Sequence, residues 1–224
     1  MSRDVTTLTR LLETRYSCRA FRPEQLRRET IEKIVAAAGR APSWCNAQPW
    51  QVTVTTGQET DRFRAALLEA AETCAPAPDM PWPEAYPGVH GERRRACGYQ
   101  LYEAVGIARE DRAARAAQSM ENFRLFGAPH VAVLHAEAEL GPYGALDCGG
   151  FVMAFMLAAT AHDVATIAQA SVASYPDMIR RHFGLPENRR ILCAISFGHE
   201  DPDHPANGFR TSRAGLSEVL DLRG

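Results

Sequence analysis

Lysine is almost missing. Lys33 is the only one, and the other 24 of the 25 basic residues are arginine. A Schiff-base or pyridoxal-phosphate mechanism would have to run through Lys33, which sits inside an amphipathic helical pattern, so that chemistry is set aside. No C-x-x-C pair occurs among Cys18, Cys45, Cys74, Cys97, Cys148 and Cys193, which removes zinc-ribbon and thioredoxin-type readings. The net charge of −2 gives no bulk electrostatic case for nucleic acid or an anionic membrane. No G-x-G-x-x-G follows a strand pattern, and neither a P-loop nor a G-x-S-x-G nucleophile elbow is present. The first residues, with Arg3, Asp4 and Arg10, lack the apolar core of a signal peptide. The longest charge-free apolar run, 148–161, is too short to span a bilayer and reads as a buried helix. The expectation is a cytoplasmic chain with reduced thiols. Metal-ligand types crowd into His199-Glu200-Asp201-Pro202-Asp203-His204, but no other cluster completes a site; this reads as a solvated turn, with no metal expected.

What is there is a chain of 224 residues with an ordinary apolar fraction of 46%. Apolar residues at helical spacing predict helices over 5–12, 30–39, 59–73 and 175–183. Residues 146–162 are apolar all round, which predicts a helix buried on every side. Alternating β-rich stretches predict strands over 50–55, 129–135, 164–170 and 190–198, with a turn at 141–144. On such a strand His130 and His135 face opposite sides and are expected to be packed or exposed rather than paired. The stretch 74–91 carries Pro76, Pro78, Pro81, Pro83 and Pro87 together with Trp82 and Tyr86. It reads as a stiff surface excursion, or as a lid or partner-wrapping arm. Residues 92–126 read as a charged, solvated helical stretch. Helices outnumber strands, which gives an α+β or three-layer arrangement around a small sheet. One domain over 1–224 is expected, with the excursion and helical insertion at about 74–126 as a candidate lid.

The positive chemical signal is Arg15-Tyr16-Ser17-Cys18-Arg19-Ala20-Phe21. In an extended segment Arg15, Ser17 and Arg19 share one side, giving two guanidinium forks and a hydroxyl suited to an elongated anion. Alone, R-x-S-x-R also describes a solvated strand. It is joined by Ala41-Pro42-Ser43 to Asn46-Ala47-Gln48-Pro49-Trp50, by Gln169-Ala170-Ser171, by Phe183-Gly184-Leu185-Pro186-Glu187 and by Arg210-Thr211-Ser212-Arg213. With these motifs the sequence resembles the nitroreductase family of flavin mononucleotide enzymes over essentially its whole length. The segment Arg93-Arg94-Arg95 to Tyr102 resembles the branch that acts on nitrobenzoates.

The resemblance implies an α+β, three-layer α/β/α fold with a small, mostly antiparallel sheet flanked by helices, bound FMN, NAD(P)H as electron donor, and a homodimer with the flavin at the subunit interface. It implies ping-pong reduction of nitroaromatic or quinone-like acceptors, small planar aromatics, with no nucleic acid and no membrane as partner. Arg15, Ser17 and Arg213, with Arg210 compensating for Thr211 where a lysine is often found, would hold the phosphate. Arg19 would lie against N1 and O2 of the ring and stabilise reduced flavin, the one catalytic role, with no covalent nucleophile. Asn46 and Gln48 would reach the ribityl or ring edge, and Gln169 and Ala170 would offer backbone near N5. Trp44, Trp82, Tyr86 and Tyr99 are candidates for the acceptor pocket. The same scaffold also supports reductive dehalogenation, flavin fragmentation, ring dehydrogenation or plain flavin carriage.

Overall fold

Successive strand residues point to opposite faces, and β2 (His130–Glu137) buries both of its sides: Val131 and Val133 on one, Ala132, Leu134 and Ala136 on the other. A strand covered twice needs a layer above and a layer below. The computed structural model, which describes residues 2–224, supplies them. With β1 (Gln51–Thr55), β3 (Ala165–Gln169) and β4 (Arg189–Gly198), β2 forms an antiparallel sheet in the order β1-β2-β4-β3. Thr53 faces Val133, Ala132 faces Ile195 and Ile167 faces Ser196, with a register shift at Leu134/His135. On the even-numbered face of β2, Ile31 and Ile34 of α2 (Arg28–Ala38) pack with Phe151 and Phe155 of α6 (Gly141–Ala161). On the odd-numbered face, Phe63 and Leu67 of α3 (Gln58–Thr73) pack with Ile179 of α7 (Pro176–Phe183). Each such side chain contributes roughly 1.5–3 kcal/mol by leaving water. The expected three-layer α+β arrangement is what forms.

Two expectations along α6 are overturned. Residues 141–144 do not turn; they open the helix. Gly141 takes φ 57°, which glycine adopts without a Cβ clash, and Pro142 fits the first turn, where its missing N–H costs nothing. Nor is α6 buried on every side. Only Gly144, Cys148, Phe151, Phe155 and Ala159 are buried, one stripe at helical spacing. The helical segment Ala138–Ala161 is long and apolar enough to cross a membrane by length and composition, yet this stripe lies in the core against α2 and the sheet. Its other face, with Tyr143 and Leu146, is open; Leu146 is 69% exposed. Among the described residues this face is left largely open, which hydropathy alone could not reveal. The helix α1 (Arg3–Thr14) likewise has no buried residue, and Leu216, Val219 and Leu222 of the tail are exposed.

The insertion is two helices rather than one charged stretch: α4 (Val89–Ala104) and α5 (Arg112–Met120). Gly106 at φ 71° breaks the first, and the Asp111 carboxylate starts the second by accepting from the Ala114 N–H at 2.9 Å. After α5 the chain passes through three consecutive left-handed residues, Leu125, Phe126 and Gly127. Two of them carry a Cβ and are strained there. The Arg64 guanidinium braces this run, donating to the carbonyls of Arg124 and Ala128 at 3.1 and 2.7 Å.

Candidate active site

Helix α1 stops at Thr14 because Arg15 turns extended, at φ −62° and ψ 129°. From there the row runs beside β3. Ser17 pairs with Thr166 in a parallel bridge, and the Cys18 N–H donates to the Thr166 carbonyl at 3.0 Å. Burial alternates as the sequence predicts: Cys18 and Ala20 are buried, while Arg15, Ser17 and Arg19 are partly open. Two residues past this bridge on each segment stand Arg19 and Ala168, the latter exposed at the sheet edge. Asn207 clamps the distant tail to the row. Its Oδ1 accepts from the Arg19 N–H at 2.7 Å, and its Nδ2 donates to the carbonyls of Ala20 and Asp201 at 2.9 and 2.8 Å.

That clamp brings Arg15, Ser17, Arg19, Arg210 and Arg213 to the wall of one cavity of about 490 Å³, a size typical of small-molecule sites. Arg19 donates to the Ser17 carbonyl at 3.1 Å and lies 5.5 Å from the Phe209 ring centroid. Arg210 sits 3.5 Å over the Tyr16 ring, whose hydroxyl donates to the Glu200 carboxylate. Burial and the Glu200 contact push the Tyr16 phenol up, so it remains a donor. Among the described residues, none of the four arginines forms an ion pair. The buried Nε of Arg15 has no hydrogen-bond partner. Burial first, and then the neighbouring Arg213 charge, lower the Arg15 pKa, and burial lowers that of Arg19. Guanidinium groups held together against their own repulsion, with a donor left over, fit an anionic ligand. A phosphomonoester such as that of FMN matches this donor set.

The other residues singled out from the sequence lie elsewhere. Trp44, Asn46 and Gln48 are exposed on a loop anchored to the N-terminal part of α6: the Trp44 N–H donates to Asp147 at 3.1 Å, and the Trp44 ring meets Tyr143 at 4.4 Å. Cys45, Asn46 and Gln48 all have positive φ, 51°, 56° and 47°, the kind of strain that gathers at binding loops. Tyr143 precedes Met153, which lines the arginine cavity, by ten residues or about 15 Å of helix. The Gln169 side chain points into the protein, accepting from the Ser196 hydroxyl at 2.5 Å and donating to the Asn122 carbonyl at 2.9 Å, so only its backbone faces the row's side of β3. Ala170 is exposed beyond it. Trp82 and Tyr86 are exposed on the excursion, Tyr86 beneath Arg94 at 5.2 Å, and Tyr99 of α4 lies beneath Arg109 at 4.2 Å. None of these aromatics lines the arginine cavity. Tyr16, Cys97, Met153 and Phe209 do, and they were not singled out from the sequence. Only Tyr16 and Phe209, adjacent to row and tail arginines, carried a local signal. The His199–His204 segment holds no metal-binding group among the described residues.

Residues 12–199, from the end of α1 to the end of β4, match the sequence model of the nitroreductase family. Nitroreductase NfnB of Mycolicibacterium smegmatis is 41% identical over 211 residues, spanning 94% of this chain and 90% of that protein. A 4-nitrobenzoate reductase of Pseudomonas putida is 31% identical over 203 residues, spanning 91% and 89%. The crystal structure of the FMN-dependent NfnB from Mycobacterium smegmatis in complex with NADPH superposes with a TM-score of 0.93 at 40% identity, over 98% of this chain and 99% of that one. An arginine row beside the sheet edge, a tail clamped to it, and this agreement along the whole chain leave one assignment: the protein belongs to the nitroreductase family.

Proposed function

We infer that this chain is an FMN-dependent oxidoreductase that uses NAD(P)H to reduce nitroaromatic acceptors, and that it acts as a homodimer with the cofactor at the subunit interface. The observation that carries the reading is the arginine cluster without ion-pair partners around the orphaned Arg15 Nε, in which Arg213 sets its like charge against Arg15. Arg15, Ser17 and Arg213 would hold the phosphate. Bound FMN would supply the hydride-carrying ring that NAD(P)H and the acceptor meet in turn. Arg19, tethered by Asn207 and Ser17, keeps a fixed positive charge at the far end of the row, where it favours negative charge on the ring. No side chain need act as a nucleophile; the protein's part is positioning and electrostatics. The solved NADPH complex of a relative supports NADPH as donor.

Dimerisation would cover the open face of α6. At its middle, a Cβ on Gly149 or Gly150 would meet no neighbouring element within 4 Å, so a second helix can approach closely. A two-fold axis there would carry the partner's 44–48 loop toward this chain's cavity, which explains why Asn46 and Gln48 do not reach the cavity of their own chain. The excursion and α4, which carries Cys97 to the cavity wall, would act as the lid. Six free thiols fit a reducing compartment such as the cytoplasm.

Titrating apo-protein with FMN and with riboflavin tests the reading. Arg15→Ala is expected to weaken FMN binding about 10- to 100-fold, the loss of a charge-assisted contact, while riboflavin, which lacks the phosphate, binds as before. An equal loss for both ligands would show that Arg15 does not read the phosphate.

A further inference from the structure

Ser17 and Thr166 pair in parallel, so the exposed Ala168, two residues on, heads the same way as Arg19, two residues past Ser17, with Ala170 about 7 Å beyond Ala168. Ala168 and Ala170 are exposed on this side, while Ile167 and Gln169 are buried on the other. This shared direction carries the backbone at Gln169–Ala170–Ser171 toward the end of the row where Arg19 stands, outside the wall of the arginine cavity itself. Two side chains fix that backbone, and both end on one residue of the insertion. Gln169 donates through Nε2 to the Asn122 carbonyl at 2.9 Å and to its Oδ1 at 3.4 Å. The Ser171 hydroxyl donates to the same Oδ1 at 3.0 Å.

The other side-chain polar atoms of this group are also occupied. Ser196 of β4 donates to the Gln169 side-chain Oε1, the Ser174 hydroxyl donates to the Ser171 backbone carbonyl, and the Asn122 side-chain amide donates to the Ser119 carbonyl at 3.1 Å. A part-buried network whose side chains are all satisfied restrains its members. Asn122 in turn heads the left-handed run at 125–127 that Arg64 braces.

We propose that Asn122 is a positioning residue for the redox chemistry: it sets the Gln169–Ala170–Ser171 backbone beside the cofactor ring and so ties the insertion to the reacting end of the site. This rests on the flavin reading above. The residue touches neither cofactor nor acceptor, and it acts through Gln169 and Ser171. Because it belongs to the insertion, this joint gives a shift of α5 a route to the ring.

The test uses FMN-loaded protein carrying Asn122→Ala, Ser171→Ala, or both. Each single variant is expected to bind FMN within about threefold of the parent, to alter the visible circular dichroism of the bound oxidised flavin, and to slow flavin bleaching by NADPH about 2- to 10-fold, the range for one lost hydrogen bond. The double variant should be no slower than the slower single one, because both remove the same bond. Should Asn122→Ala fail to fold, Ser171→Ala breaks that bond from the other end. Parent-like dichroism and bleaching in the folded variants, even with a lower melting temperature, overturn the proposal and leave the flavin site intact. A parent protein that binds no FMN overturns the flavin reading together with it.

Discussion

His130 and His135 stand five positions apart on β2 and occupy opposite faces, as strand alternation requires. His130 is held neutral: its Nε2 accepts from the Leu26 N–H at 2.9 Å, and its Nδ1 points to the Thr55 carbonyl at 3.3 Å. His135 is buried beside the register shift, with Thr53 Oγ1 at 3.3 Å from Nε2 and no partner for Nδ1. Burial, followed by the nearby Arg189 charge, lowers its pKa to about 4. In the unfolded chain that value returns to roughly 6.5. Between those values the unfolded state binds the extra proton, so stability is full above about pH 6.5 and falls as the pH drops toward 4, by up to about 3 kcal/mol. Urea unfolding at pH 7 and pH 4.5 measures the difference. His135→Asn should flatten it, and an unchanged pH slope in that variant would assign the effect to other groups. The alternation was legible in the sequence, whereas the partners were not, because they come from β1 and from a register shift that leaves no local mark. The same holds in the site: Arg15, Ser17 and Arg19 announce themselves by spacing, but Asn207, which pins the tail to them, is one ordinary asparagine until the chain folds.

Whole elements were read well where one face alone meets the core, as in α2 and α3. Hydropathy failed for α6, because an open apolar face has the same composition as a face in the core. It failed again at 125–127, where leucine and phenylalanine take conformations their residue types disfavour and Arg64 supplies the compensation. The Pro-rich excursion was recognised as irregular, but its tether was not. Asp79 accepts two bonds from Arg180, at 2.7 and 3.1 Å, and one from the Ile191 N–H at 2.8 Å; the Ala77 N–H donates to the Ser174 carbonyl at 2.8 Å. The Asp79–Arg180 pair is largely buried, unlike most ion pairs of this chain, so its loss should cost about 1.5–3 kcal/mol locally. Arg180→Ala is expected to raise the rate of limited proteolysis within residues 80–88 about tenfold, with little change in global melting. Cleavage at the parent rate would mean that the excursion is held by something else.

For the molecule as a whole, the sheet serves as a partition: a core lies on each side, and the open face of α6 adjoins the arginine row at Met153. The arginine cavity and the 44–48 loop occupy different stations on that surface, separated by about 15 Å of helix. If each site is built from the row of one chain and the loop of the other, the consequence is genetic as well as structural. A chain carrying Arg15→Ala and a chain carrying Asn46→Ala would each form defective homodimers. Unfolded together in equal amounts and refolded, they would assemble mixed dimers in which one site inherits both lesions and the other inherits neither. About a quarter of all sites would then regain tight FMN binding from two crippled parents, and a mixture that recovers nothing would place row and loop in the service of the same chain.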